Sequence, residues 1–106
     1  KMPRRSDIIG VTDATGSVFD YSSVTVTDVA TPIPAVNLAN RKAITIFNYS
    51  NTNRVFIGGA GVTTASGYPL LPYQGLPFDL GSAAQIYGIC ETGKTADVRQ
   101  LQIDNS

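Results

Sequence analysis

Histidine is absent from the 106 residues, and cysteine occurs once, at Cys90. A lone cysteine cannot close an intramolecular disulfide. Zinc and most transition-metal sites lack their usual ligands, and hydrolysis by a serine or cysteine with a histidine base is excluded. Charge is also scarce: 15% of residues carry it, and eight basic residues balance eight acidic ones. A neutral chain offers no broad field to draw in nucleic acid or an anionic membrane. No apolar run approaches the ~20 residues that span a bilayer. The basic start Lys1-Met2-Pro3-Arg4-Arg5 lacks the apolar core of a secretory signal. The expectation is therefore a protein that is not an enzyme. It should have no catalytic residues, no cofactor, no metal, and neither nucleic acid nor membrane as partner.

What is present is a set of short apolar stretches separated by turn residues. Hydrophobic residues make up 42% of the chain, enough for one globular domain with a real core. Val24-Thr25-Val26-Thr27 alternates apolar and hydroxyl side chains, as a strand does. Thr31-Pro32-Ile33-Pro34 breaks regular pairing and reads as a connection or an edge. Lys42 to Tyr49 is the clearest strand, with Ile44 and Ile46 on one face and Thr45, Phe47 and Tyr49 on the other. Apolar groups on both faces imply cover by a second sheet or by a neighbouring subunit. The turn cluster Asn48 to Asn53 leads into a strand over Arg54 to Ile57, and the pair reads as a hairpin. Gly58-Gly59-Ala60-Gly61 ends that strand. Tyr68-Pro69-Leu70-Leu71-Pro72 predicts a short edge strand between prolines, Leu76 to Leu80 another, and Gln85 to Cys90 with Ala96 to Ile103 a last hairpin. In the final segment Val98, Leu101 and Ile103 fall out of alternation; a bulge near Arg99-Gln100 would restore it, and a short helix there is the alternative.

Gly88-Ile89-Cys90-Glu91-Thr92-Gly93-Lys94-Thr95 matches the phosphate-loop pattern letter for letter. The pattern works only between a strand and a helix, where backbone N–H groups surround the phosphates. No long helix-period segment is present, and Ala96 to Ser106 supply one short element. The expected structure is a turn at Glu91-Thr92-Gly93-Lys94, with Gly93 supplying a positive φ. Cys90, in an apolar setting, reads as an inert core residue.

Strands at roughly ten-residue spacing predict an all-β fold. The expectation is an antiparallel β-sandwich or jelly-roll-like barrel of about eight or nine short strands with an extended N-terminal arm. Residues 1–16 are the arm, and residues 17–106 form the single domain. In the arm, Arg4 and Arg5 can meet acidic groups, and Ile8, Ile9 and Val11 can add a strand to a neighbour. Tyr49, Phe56, Tyr68 and Tyr73 are candidates for a subunit interface on a face not used by the core.

Several motifs occur in a fixed order: Arg41 to Tyr49, Val55-Phe56-Ile57-Gly58-Gly59, Val62-Thr63, Gly67-Tyr68-Pro69-Leu70, Phe78-Asp79-Leu80, Ile86-Tyr87-Gly88-Ile89 and Ala96-Asp97-Val98-Arg99. This succession, over about Ser22 to Ile103, resembles small virion proteins of tailed bacteriophages that decorate or cement the head. The resemblance implies a capsid decoration protein at the virion surface. Its partner would be the major capsid protein, and its own state a homo-oligomer, a trimer being favoured. The alternative is a tail- or fibre-associated recognition module that binds a host-surface glycan through exposed tyrosines and the polar loop Asn48 to Asn53.

Overall fold

In the computed structural model the described residues are 19–104. The arm residues Arg4, Arg5, Ile8, Ile9 and Val11 lie outside them. Among the described residues eight strands follow one another: β1 (Phe19–Val26), β2 (Thr31–Ile33), β3 (Arg41–Asn48), β4 (Val55–Gly58), β5 (Tyr68–Leu70), β6 (Gly75–Phe78), β7 (Ile86–Ile89) and β8 (Ala96–Asp104). They form two four-stranded antiparallel sheets, a front sheet in the order β1-β8-β3-β6 and a back sheet in the order β2-β7-β4-β5. The expected all-β sandwich is what the chain builds.

The pairing is nested. The first strand pairs with the last, the second with the seventh, the third with the sixth, and the fourth with the fifth. Contacts of β3 with β8 and of β4 with β7 complete the sheets. A long antiparallel ribbon rolled on itself gives this order, which is the jelly-roll arrangement. Among the described strands, β4 and β5 are the neighbours in sequence that also pair. The two expected hairpins, Lys42–Tyr49 with Arg54–Ile57 and Gln85–Cys90 with Ala96–Ile103, are therefore not hairpins. Each turn carries the chain from one sheet to the other, so the strands face each other across the core. Hairpins and such arches use the same turn residues, and the local sequence does not separate them.

The core lies where the inward rows of the two sheets meet. Val26, Ile44, Ile46, Ala96 and Val98 come from the front sheet, and Ile33, Val55, Ile57, Leu70 and Ile86 from the back. Half-buried Val24, Leu76, Phe78 and Leu80 close its margin. Each fully buried Val, Ile or Leu contributes about 1.5–3 kcal/mol relative to exposure. Cys90 belongs to this cluster, as expected, and its Sγ approaches the Val26 carbonyl at 3.5 Å.

Strand β8 departs from the expected pattern. It runs straight from Ala96 to Asp104 in unbroken register with β1, and its inward residues are Ala96, Val98, Gln100, Gln102 and Asp104. No bulge occurs near Arg99-Gln100; the irregularity lies opposite, between Arg41 and Ala43. Leu101 and Ile103 thus face outward, and two glutamines point into the molecule. Gln102 is fully buried and fully bonded: its Nε2 donates to Asp20 and to the Val36 carbonyl, and its Oε1 accepts from Leu38 N–H and Arg41. Buried Arg41 donates from Nε to the Leu80 carbonyl, from Nη1 to Asn37 and Gln102, and from Nη2 to the carbonyls of Gly81 and Ala84. Burial lowers its pKa, and five hydrogen bonds of 2.8–2.9 Å compensate the desolvated cation.

Candidate interaction face

An antiparallel sheet with one solvated face normally alternates apolar-in and polar-out. The front sheet breaks this rule on its outer side. The strand register places side chains there in rows. Phe19, Ile103 and Ala43 make the first, and Tyr21, Leu101, Thr45 and Pro77 the second. Ser23, Arg99, Phe47 and Gly75 make the third, with Thr25 and Asp97 beyond it. Tyr21 is 81% exposed and Phe19 67%, so nothing in the described fold covers them. Leu101 is exposed as well, while Ile103 and Phe47 are half-buried.

One end of this face carries an aromatic cluster. The Tyr49 N–H donates to the Asp97 carbonyl at 2.8 Å, which extends β3 by one residue alongside β8. The Tyr73 N–H donates to the Asn48 carbonyl at 2.8 Å, which holds the Leu71–Gln74 turn against the same strand. The rings of Tyr49 and Tyr73 then meet edge-on at 5.9 Å, and each lies 6.4 Å from Phe47. The Arg99 guanidinium sits 4.4 Å above the Tyr49 ring and is held by Asp97, Nη2 to Oδ2 at 2.8 Å. That hydrogen bond raises the Arg99 pKa. A cation held over an aromatic ring by a carboxylate gives the cluster a charged rim.

The loops that carry the cluster are set by short polar side chains. Asn48 is buried; its Nδ2 donates to the carbonyls of Asn53 and Leu70, and its Oδ1 accepts from Ser50 N–H. The Ser50 hydroxyl accepts from the N–H groups of Thr52 and Asn53. The expected self-bonding turn is present, with Asn48 as its anchor. Tyr73 itself is held at φ 58°, a left-handed conformation that costs a non-glycine residue about 1–2 kcal/mol. Backbone strain at an exposed aromatic is a feature found at binding sites.

The four expected interface residues separate into three places. Tyr49 and Tyr73 come together on the front face. Tyr68 lies on edge strand β5 of the back sheet, beside an apolar groove of about 430 Å³ lined by Ile57, Leu76, Phe78 and Ile86, with Gln85 as its polar group. Phe56 is withdrawn from the set: it is 7% exposed, and the Arg54 guanidinium covers its ring at 5.2 Å. The position of Phe56 on the outward row of β4 suggested exposure, but the neighbouring arginine and the loop containing Val62 and Gly67 close over it. Phe19, Tyr21, Leu101 and Ile103 were missed as surface residues. The readable signal was strict alternation from Ala96, which puts both Leu101 and Ile103 outside.

The phosphate-loop string lies on strand, turn and strand. Gly88 is in β7, Gly93 has φ 76°, the Lys94 N–H donates to the Glu91 carbonyl at 2.9 Å, and β8 begins at Ala96. No helix follows Lys94, so the backbone cradle that the pattern requires is not formed. Gly88 is needed for packing instead: a Cβ there would sit 2.6 Å from Ile33 Cδ1 and 2.9 Å from Val55 Cγ1. Cys90 is 1% exposed, and burial first, then the carboxylates of Glu91 and Asp28, pushes its thiol up to about 11. It is a protonated core group at neutral pH. Among the described residues no three His, Cys, Asp or Glu side chains gather as a metal site, and no helix is long and apolar enough to cross a membrane. No family model, curated protein or solved structure matches the chain.

Proposed function

We propose that this protein is a capsid decoration subunit of a tailed bacteriophage, which binds the outside of the head and stabilises it through apolar surface and strand pairing. The carrying observation is the outer face of the front sheet, where Phe19, Tyr21, Leu101, Ile103 and Phe47 stand on one side of a sandwich whose core is already complete on the other. Contiguous exposed apolar rows of this kind mark protein contact sites. The resemblance of the strand and turn motifs to head decoration proteins supplies the partner, the major capsid protein. Residues 1–16 contribute a basic, β-prone extension that can lie along a neighbouring shell subunit. Several copies on one shell gain avidity from individually weak contacts.

The test is rebinding to heads stripped of the protein. Tyr21→Lys with Leu101→Lys should abolish binding and the recovery of heat resistance, while the circular dichroism spectrum stays that of a β fold. Deletion of residues 1–16 should weaken binding in a folded domain. Wild-type binding by both variants would defeat the reading. The Tyr49–Tyr73–Phe47 cluster with its stacked Arg99 favours a second reading, glycan recognition at the tail. Copy number separates the two, because a shell protein is present in hundreds of copies and a tail part in a handful.

A further inference from the structure

A sandwich has four edge strands, and here three are protected in the same way. Strands β2, β5 and β6 contain three, three and four residues, and each carries a proline: Pro32, Pro69 and Pro77. Short, proline-bearing edges resist the addition of a further strand. Strand β1 has neither device. It is eight residues long, contains no proline and no lysine, and pairs with β8 along its whole length. Among the described residues nothing pairs with its other edge. The single charge on it, Asp20, is turned inward to Gln102 Nε2 at 3.0 Å.

We infer that the open edge of β1 is a self-association site, which takes the β1 strand of a second copy antiparallel across a two-fold axis and joins two front sheets into one. Four features select a second copy. In the register centred on Ser22, side-chain parity is kept and outward Phe19, Tyr21, Ser23 and Thr25 face the same four of the partner in reverse order. The bulky aromatic half of each strand then lies opposite the small hydroxyl half of the other. In the registers centred on Ser22 or Ser23, Asp20 meets Val24 or Val26 and never the second Asp20. The chain's zero net charge places no long-range repulsion between copies. The apolar rows of the front face also reach the edge at Phe19 and Tyr21, so they continue unbroken from one copy to the next. The contact needs no shell, and its failure leaves the decoration reading standing.

The experiment is sedimentation of the full chain over a concentration range, combined with amide exchange. The expected result is twice the mass of one chain, with β1 amides protected more strongly as concentration rises. Ser23→Lys with Thr25→Lys should weaken association at least tenfold, because both positions are exposed and four lysines gather at the joint, the two at position 23 opposite each other in the register centred on Ser23 and diagonal in the one centred on Ser22. Ser22→Pro and Ser23→Pro make a second pair. N–H groups alternate in direction along a strand, so one proline removes an N–H at the open edge and keeps the ladder to β8. That variant should fold and remain a single chain. A monomer whose β1 amides exchange freely would overturn the inference. So would a monomer with β1 protected, which would mean that the chain's own residues before Phe19 cover the edge. A trimer, or a dimer indifferent to these substitutions, would overturn it equally.

Discussion

Tyr73 places backbone strain and an exposed aromatic ring in one residue. Its φ of 58° suits glycine better than any side chain, while its ring stands half-exposed against Tyr49. Tyr73→Gly should leave stability unchanged or raise it by up to about 1 kcal/mol, since relief of the left-handed conformation outweighs the lost ring contacts. The same variant should bind its partner more weakly. Thermal melting and a binding isotherm, read on one sample, check the two opposite signs. Cys90 is a simpler case. With its pKa raised from 9.0 to about 11, the folded thiol should resist alkylation at pH 8 and react at the rate of a free cysteine in denaturant. The thiol ionises more readily in the unfolded chain. Its contribution to stability is therefore full below about pH 9 and is lost as the pH rises toward 11.

At the scale of strands and turns, the alternation of apolar and polar residues made most elements readable. Ile44 and Ile46 identified the inner face of β3, Asn48 to Asn53 its closing turn, and Gly93 the left-handed corner before β8. Partnership between strands was not readable, because an arch and a hairpin share turn chemistry and differ in contacts made far along the chain. The buried polar row of Gln100 and Gln102 hid β8's true facing for a related reason. Glutamine looks like a surface residue until Asp20 and Arg41 are brought beside it by folding. Within the candidate site, Tyr49 and Tyr73 were legible as exposed aromatics. The apolar rows at Tyr21 and Leu101 were not, since they exist only once three strands are side by side. The phosphate-loop string gives a direct test of which reading of a motif holds. Gly88→Ala should cost about 1–3 kcal/mol through overpacking against Ile33 and Val55, and Lys94→Ala should stay within about 0.5 kcal/mol of wild type. Chemical denaturation measures both, and neither variant should differ from wild type in nucleotide retention.

For the molecule as a whole, a neutral chain with one apolar sheet face should bind its partner by desolvation more than by charge. Raising salt from 0.1 to 1 M shortens the screening length to about 3 Å. On the proposed function, binding through the front face should persist under that change, and any share carried by the basic start of the chain should fall away. Titration of full-length and truncated protein at both salt concentrations separates the two contributions.

The rolled ribbon has one more consequence. Because β1 lies antiparallel to β8, with Phe19 opposite Ile103, the two ends of the described fold meet at a single corner, about 5 Å apart. Chain attached ahead of Phe19 and chain attached after Asp104 would leave the sandwich from neighbouring strand ends. A short linker joining Asp104 to Phe19 would give a circular permutant of residues 19–104, with new termini opened in the exposed glycine loop after β4 and every described ladder retained.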